Sequence, residues 1–75
     1  MTKYRIVLVP EADGVFSVLV PALPGCYTQG ETREEALAMA REAIELHIES
    51  LREHGEPIPA DDVEVAAVEV SLPAA

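Results

Sequence analysis

The side chains best suited to covalent chemistry in this sequence are one cysteine and two histidines. Cys26 is the only thiol, and a thiol nucleophile needs a base within hydrogen-bond reach. Both histidines, His47 and His54, fall within a predicted helix. Structural roles fit these residues better: a small buried side chain for Cys26, the margin of an apolar stripe for His47, and a cation near a helix C-terminus for His54. We therefore expect no catalytic residues and no enzyme.

The loop before the predicted helix raises a second possibility, a phosphate-binding site. The stretch "PGCYTQGET" places two glycines just ahead of a helix N-terminus. It lacks the Lys-Ser/Thr pair of a P-loop and the three-glycine fingerprint of dinucleotide-binding proteins. Glu31, Glu34 and Glu35 would repel a phosphate at this position. We expect no nucleotide or other cofactor.

A third possibility is a metal or carboxylate site, because acidic residues are plentiful. The apolar middle of the two N-terminal strands holds no acid, and no Cys/His spacing typical of zinc is present. On the predicted helix, four glutamates recur at three- and four-residue steps and share one face opposite the apolar stripe. This acidic helix face consists of Glu42, Glu45, Glu49 and Glu53. It is either an ordinary solvated surface or a docking strip for a basic partner, and we expect no metal.

The overall charge bears on the kind of partner. Fourteen acidic residues against five basic ones give a formal net charge of −9. Such a surface would repel the phosphate backbone of a nucleic acid, whereas it would attract a basic protein. An acidic surface also keeps a small protein soluble, so composition alone leaves both interpretations open.

Length and core composition predict one small domain, residues 1–75, that gains burial by self-association. Only three of the 75 residues are aromatic, so the core must consist of Val, Leu, Ile and Ala. Because a chain of this size buries little surface, we expect a homodimer or a higher homo-oligomer. A lone cysteine, no signal peptide and no apolar run long enough for a membrane span favour a cytoplasmic protein without a membrane partner.

Three short strands are predicted ahead of the helix. The first, "KYRIVLVP", alternates in hydrophobicity, ends at its proline, and should place Tyr4, Ile6 and Leu8 on one face. The turn "EADG" leads to a second strand, "VFSVLVP". After a break at "PALPG", the segment "CYTQ" returns as a third strand that ends at Gly30. These elements predict an antiparallel meander.

A long helix is predicted from Arg33 to about His54. Thr32 and Glu35 form the pattern of a capping box at its start, and a glycine followed by two prolines ends it. The last segment, Val63–Leu72, alternates valine with glutamate and predicts a fourth strand, whose irregular phase suggests a subunit contact. The order β-β-β-α-β predicts an α+β fold of two layers, with one helix on the sheet.

These features together resemble a known family. The run "YRIVLVPEADGVFSVLVPALPGCYTQGETREEALAMAREAI", continued by "LREHGEPIP", is similar to the N-terminal domain of the HicB antitoxins. The likeness covers residues from about 4 to 59. Its specificity lies in the combination of the strand hairpin, "LPGCYTQG", "EEAL" and "GEPIP" at these spacings.

The resemblance implies a fold and a partner. HicB-like domains have a partial, degenerate ribonuclease-H-like fold, and they pair with HicA, a small basic toxin of double-stranded-RNA-binding-domain fold that cleaves RNA. The antitoxin covers the toxin's active site and commonly self-associates. Where a working ribonuclease H carries a metal-binding aspartate on its first strand, this sequence reads "YRIVLV", so no ribonuclease activity is implied. Longer HicB antitoxins carry a C-terminal DNA-binding domain; this sequence ends at Ala75, and no DNA binding is expected.

The leading hypothesis is a non-catalytic antitoxin domain that neutralises a small basic HicA-type ribonuclease. Two surfaces are candidates for that contact: the acidic helix face, and the strand side chains Tyr27 and Gln29. The helix face ranks first because charge supplies a physical reason for docking. The alternative hypothesis is an orphan oligomeric module without a toxin partner, with a small molecule as its ligand.

Overall fold

Three β-strands and one α-helix make up the regular structure of the chain. The computed structural model describes residues 2–74, in which β1 (Val7–Pro10), β2 (Phe16–Leu19) and β3 (Tyr27–Gly30) precede α1 (Arg33–Glu53). The strands pair antiparallel in the order β1-β2-β3, and the helix packs on one face of the sheet. The predicted α+β fold, with a three-stranded meander and one long helix, is confirmed.

A tight turn joins β1 to β2, as "EADG" predicts. The backbone N–H of Glu11 donates to the carbonyl of Val15 over 2.8 Å, and that of Gly14 donates to the carbonyl of Glu11 over 3.1 Å. Asp13 braces the turn, since its Oδ1 accepts a hydrogen bond from the N–H of Val15 at 3.2 Å. Gly14 has a φ of +86°, in the left-handed region that residues with a Cβ seldom adopt.

The stretch "PALPG" folds back on itself between β2 and β3. The N–H of Leu23 donates to the carbonyl of Val20 at 3.0 Å, and the N–H of Cys26 donates to the carbonyl of Leu23 at 2.9 Å. A third bond, from the N–H of Val20 to the carbonyl of Cys26 at 3.1 Å, closes the loop next to the sheet. This joint brings β3 alongside β2 and buries Leu23 and Cys26 in the core.

The strand register sorts the side chains onto two faces of the sheet. Leu8, Val18 and Thr28 lie opposite one another and face the helix, where Val18 is completely buried. The adjacent row points away from the helix because successive strand residues alternate between faces. That outward row consists of Val7, Leu19 and Tyr27.

The helix begins where its local sequence predicts. Thr32 is the N-cap, and its Oγ1 accepts a hydrogen bond from the N–H of Glu35 at 3.1 Å. The Glu35 carboxylate accepts from the N–H of Glu31 at 3.3 Å, one residue earlier than in the capping box that the sequence predicts. Glu34 and Glu35 lie in the first turn, where the helix dipole favours negative charge.

The C-terminus of the helix is closed by two backbone hydrogen bonds. The N–H of Glu56 donates to the carbonyl of Leu51 at 2.9 Å, and that of Gly55 donates to the carbonyl of Arg52 at 3.1 Å, as in a Schellman motif. His54 is the C-cap residue. No helix within residues 2–74 is long and apolar enough to cross a bilayer.

Two clusters of small apolar side chains form the core. Val18 packs with Ala36 and Ala40 of the helix, and the partly buried Ile6, Leu8 and Phe16 surround them. The second cluster lies under the "PALPG" joint and comprises Val20, Leu23 and Cys26, with Tyr4 and Ile6 packed against it. Tyr4, Ile6 and Leu8 thus all pack against the core as predicted, although β1 begins at Val7 rather than at Lys3.

The helix approaches the sheet most closely at the end of β3. A Cβ added at Gly30 would lie 2.4 Å from the backbone nitrogen of Ala36 and 2.6 Å from its Cα. Real Cβ atoms are not found at such distances, so only glycine lets the helix start directly against the strand. The last residue of β3 therefore sets how close the two layers lie.

The predicted fourth strand, Val63–Leu72, is wrong for this chain taken by itself. Within residues 2–74 no strand follows the helix, and the backbone beyond Val63 forms no hydrogen bond. A strand exists only as part of a backbone ladder, whereas each bond that holds the preceding residues joins a side chain to a backbone group. The Tyr4 hydroxyl donates to the Pro59 carbonyl, and the Arg5 N–H donates to the Asp61 carboxylate.

Candidate functional site

The residues with covalent or acid–base chemistry are not brought together. Cys26 is 6% exposed within an apolar cluster, and burial raises the pKa of its thiol above the ordinary value of 9.0. His54 Nδ1 lies 2.7 Å from the carbonyl oxygen of Ser50 at the helix end, and His47 is half-buried on the helix. No side-chain hydrogen bond within residues 2–74 joins Cys26 to either histidine. The thiol therefore has the surroundings of a core residue.

The described part of the chain also shows no cluster of metal ligands. Among residues 2–74, no group of three or more His, Cys, Asp or Glu side chains is close enough to hold a metal ion. The four glutamates of the acidic helix face lie along one side of the helix rather than around a common point. The acids therefore form a charged surface.

The acidic helix face is exposed along its whole length. Glu42, Glu45, Glu49 and Glu53 are all solvent-exposed, on the side of α1 opposite the buried Ala36 and Ala40. Among residues 2–74 the one ion pair joins Arg5 and Asp61, so none of these four carboxylates is neutralised by a salt bridge. Their charge is available to a partner.

Two apolar side chains beside this face were missed by the sequence reasoning. Leu46 is 60% exposed and borders this face, about one turn from both Glu42 and Glu49. Met39, 37% exposed, lies on the same side about two turns earlier. Exposed apolar side chains next to charged ones offer a partner contact area as well as electrostatic attraction. The sequence did contain a signal, since Leu46 is an apolar residue that lies off the apolar stripe of the helix.

The second predicted surface lies on the outer face of the sheet. Tyr27 is 72% exposed and Gln29 is exposed on β3, both pointing away from the helix. The register adds two neighbours that sequence reasoning missed, Leu19 at 49% and Val7 at 37% exposure, which continue the Tyr27 row across all three strands. Strand alternation predicts only which residues of one strand share a face, and the register between strands brings these three side chains together.

These two surfaces lie on opposite sides of the molecule. The helix covers the inner face of the sheet through Ala36 and Ala40, and its glutamates project from the far side of the helix. Tyr27 projects from the far side of the sheet. A single compact partner therefore uses one surface or the other, and substitutions can separate the two.

Comparison with known proteins identifies the family. The sequence profile described as "HicB_like antitoxin of bacterial toxin-antitoxin system" matches residues 4–72. The chain belongs to the HicB-like antitoxin family. The match extends beyond residue 59 into the C-terminal segment.

Individual relatives agree with this assignment. A UPF0150 protein of Thermoplasma acidophilum is 50% identical over 66 residues, which cover 88% of this chain and 96% of the relative. A protein named Antitoxin HicB 1 from Photorhabdus laumondii is 42% identical over 57 residues, covering 76% of this chain but 37% of that longer protein.

A solved structure supports the fold. The crystal structure of the N-terminal domain of the Burkholderia pseudomallei antitoxin HicB is similar to this chain with a TM-score of 0.63 and 38% sequence identity. The superposition covers 85% of this chain and 69% of the other. The three-stranded sheet and long helix are therefore the fold of a HicB N-terminal domain.

Proposed function

We propose that residues 1–75 form a single HicB-like domain that binds and neutralises a small basic HicA-type ribonuclease by covering its active site. Membership of the antitoxin family supports the inhibitory role. The net charge of −9 supports a basic partner and opposes direct binding to nucleic acid. The domain acts by occupying a surface and carries out no reaction itself, in keeping with the buried position of Cys26.

The acidic helix face is the primary contact surface in this proposal. Its unpaired carboxylates attract a basic protein and orient it before contact, which raises the association rate. Once the toxin is docked, Leu46 supplies apolar contact area among the charges. Because charge acts mainly before contact and apolar area acts after it, added salt should slow association strongly and affect dissociation less.

Charge reversal along the helix tests the contact. The variant Glu42→Lys/Glu45→Lys/Glu49→Lys/Glu53→Lys should bind a purified HicA-type toxin at least about tenfold more weakly and lose inhibition of RNA cleavage in parallel. Titration calorimetry and an RNA-cleavage assay measure the two effects. Circular dichroism checks that the variant remains folded, as expected for exposed positions.

A matched pair of double variants controls for net charge. Glu42→Lys/Glu49→Lys changes the helix face, whereas Glu11→Lys/Glu56→Lys makes the same change in charge at exposed sites off that face. The first should weaken binding and the second should leave it within about twofold. Equal effects would show that only long-range charge matters, and unchanged affinity in the quadruple variant would refute the helix face as the contact.

The outer sheet face is the second candidate for the same contact. Its exposed apolar row, of which Tyr27 is the most exposed member, with Gln29 on the same strand, has the character of an interface core rather than of a charged strip. Tyr27→Ala/Gln29→Ala should leave toxin affinity unchanged if the helix face is used. Loss of binding in this variant, with the helix variants unaffected, would move the proposal to the sheet.

The place of action follows from the proposed partner. A ribonuclease toxin has its substrate in the cytoplasm, and a single reduced thiol suits that compartment, so we propose that the complex forms there. If no basic toxin from the source organism binds the chain, the proposal fails in favour of an orphan module. We also propose that the domain acts as a homo-oligomer.

A further inference from the structure

The C-terminal tail, defined as residues 64–74, exposes apolar side chains that a soluble monomer would ordinarily bury. Val68 is 86% exposed, Val70 is 73% exposed and Leu72 is 84% exposed. Within residues 2–74 the tail backbone makes no hydrogen bond. Its composition is nevertheless that of a strand, since β-branched residues alternate with polar ones.

The tail has a regular apolar face once its second half is considered alone. Val68, Val70 and Leu72 occupy alternate positions and share one face in extended backbone, opposite Glu69 and Ser71. Ahead of Ala66 and Ala67, the apolar positions Val63 and Val65 fall on the other face. The change of phase predicts two different surroundings, and Val63 is already half-buried against its own domain.

Three hydrogen bonds fix the point where the tail leaves its own domain. The Tyr4 hydroxyl donates to the carbonyl of Pro59 at 2.6 Å, and the N–H of Arg5 donates to Oδ2 of Asp61 at 3.0 Å. The Arg5 guanidinium also donates to the carbonyl of Val63. Beyond this anchor every described tail residue is exposed, and the molecule as a whole is elongated, 52 Å against 27 and 21 Å.

An open edge and an apolar groove lie beside that anchor. β1 is an edge strand, and its outer side has no backbone partner within residues 2–74. Next to it, a groove of about 530 Å³ runs between residues 2–6 and the helix. Its apolar lining is provided by Tyr4, Ile6, Leu37, Ala40, Ile44 and Ile48. An unpaired edge of this kind is a template for an added strand.

Charge selects this edge over the opposite one. Lys3, Arg41 and Glu45 border the groove beside β1, so two bases against one acid favour the acidic tail through Glu69. At the other edge, β3 ends beneath the helix N-terminus next to Glu31 and Glu34, which would repel it. Asp61 also indicates that this edge is incomplete, because its Oδ1 is buried there without a hydrogen-bond partner.

We propose that the tail of one copy adds as a strand to the β1 edge of a second copy, with Val68, Val70 and Leu72 covering that copy's groove. Since the second copy offers the same tail and the same open edge, the exchange is reciprocal and closes a two-fold dimer. Each fold thereby regains a fourth strand, supplied by its partner. The inference does not depend on toxin binding, because both elements belong to this chain.

The oligomeric state of the full chain tests the exchange. Sedimentation equilibrium at concentrations of about 1 to 100 μM should give twice the chain mass. Val68→Lys/Val70→Lys, which places charges on the apolar face of the tail, should give the mass of one chain. The matched control, Ala67→Lys/Ser71→Lys, carries the same charges on the opposite face and should remain dimeric. A monomeric parent protein, or an unchanged dimer in the first variant, would overturn the proposal.

A disulfide trap identifies the edge. Chains carrying Lys3→Cys are mixed with chains carrying Val70→Cys, both in a Cys26→Ala background, and oxidised. A mixed disulfide dimer supports the exchange at β1, whereas a trap that forms only from Gln29→Cys chains would place the tail on β3 and overturn the assignment. If the tail variants lose toxin binding while the parent protein is monomeric, the tail docks on the toxin instead and the proposal is refuted.

Discussion

Two valine-rich segments of this chain differ in burial and in strand pairing. β2, within "VFSVLV", and the tail, within "VEVAAVEVSL", have comparable β propensity and similar length. Val18 in β2 is completely buried, whereas Val68 in the tail is 86% exposed. β2 has strands on both sides and a helix over one face, and the tail has neither.

The difference shows that a strand is a property of a pair of segments. Residue composition makes both segments competent, but the free energy comes from ladder hydrogen bonds and from apolar area removed from water. β2 receives both within one chain because short turns deliver its neighbours. The tail has no such neighbours in its own domain, and in the proposed dimer β1 of a second copy supplies the missing strand edge.

The largest effect is expected from one methyl group added in the packed part of the molecule, where the helix meets β3. Gly30→Ala should destabilise the protein by about 3 kcal/mol, the upper end for overpacking, since the new Cβ meets helix backbone that cannot rotate away. Gly14→Ala adds the same methyl where no atom lies within 4 Å and should cost roughly 1–2 kcal/mol through its left-handed φ alone. Urea unfolding measures both, and equal losses would contradict the role given to the helix–strand contact.

The same substitution should have different effects in the two segments. Val18→Ala should lower the free energy of unfolding by about 2 kcal/mol, because it opens a cavity in a fully buried site. Val68→Ala should change it by less than about 0.5 kcal/mol at dilutions where the chain is monomeric. At concentrations that favour the dimer, Val68→Ala should become destabilising as well. A constant effect of Val68→Ala at all concentrations would separate the tail from assembly.

The smallest effect concerns the buried thiol. Because the pKa of Cys26 is raised above 9.0 in the folded protein, the unfolded chain loses its thiol proton at lower pH. The resulting contribution to stability is complete below pH 9.0 and declines as pH rises through the native pKa. Urea titrations should therefore show the parent protein losing free energy of unfolding relative to Cys26→Ala as pH rises above 9.0, with a constant difference between the two at lower pH.

Thiol labelling gives the same contrast a direct form. Cys26 should be protected from iodoacetamide while the protein is folded and should react once it is unfolded. A thiol introduced in the tail by Ser71→Cys, in a Cys26→Ala background, should react at once in the folded monomer. Rapid labelling of native Cys26 would contradict its burial and reopen the question of a reactive site.

Local signals in the sequence were sufficient for most of the fold. Thr32 and Gly55 predict the ends of the helix because capping depends on hydrogen bonds within a few residues. The alternation of Tyr4, Ile6 and Leu8 predicts the inward face of the first strand for the same reason. The spacing of the helix glutamates likewise predicts one exposed acidic face.

The fourth strand and the full extent of the candidate surfaces could not be predicted in this way. Whether Val63–Leu72 forms a strand depends on a backbone partner far away in the sequence or in another chain, and no local pattern encodes that partner. The apolar row of Val7, Leu19 and Tyr27 depends on the register between three strands, which turn geometry sets.

Residue types and their periodicity therefore determine which segments are competent for helix or strand, where the helix begins and ends, and the family to which the chain belongs. The tertiary structure alone decides that the acidic helix face and the outer sheet face point in opposite directions, and that Gly30 sits against the helix backbone. It also decides that the tail leaves the domain beside an open edge. The physical reason is that capping and alternation act over a few residues, whereas pairing and packing join residues that are distant in sequence.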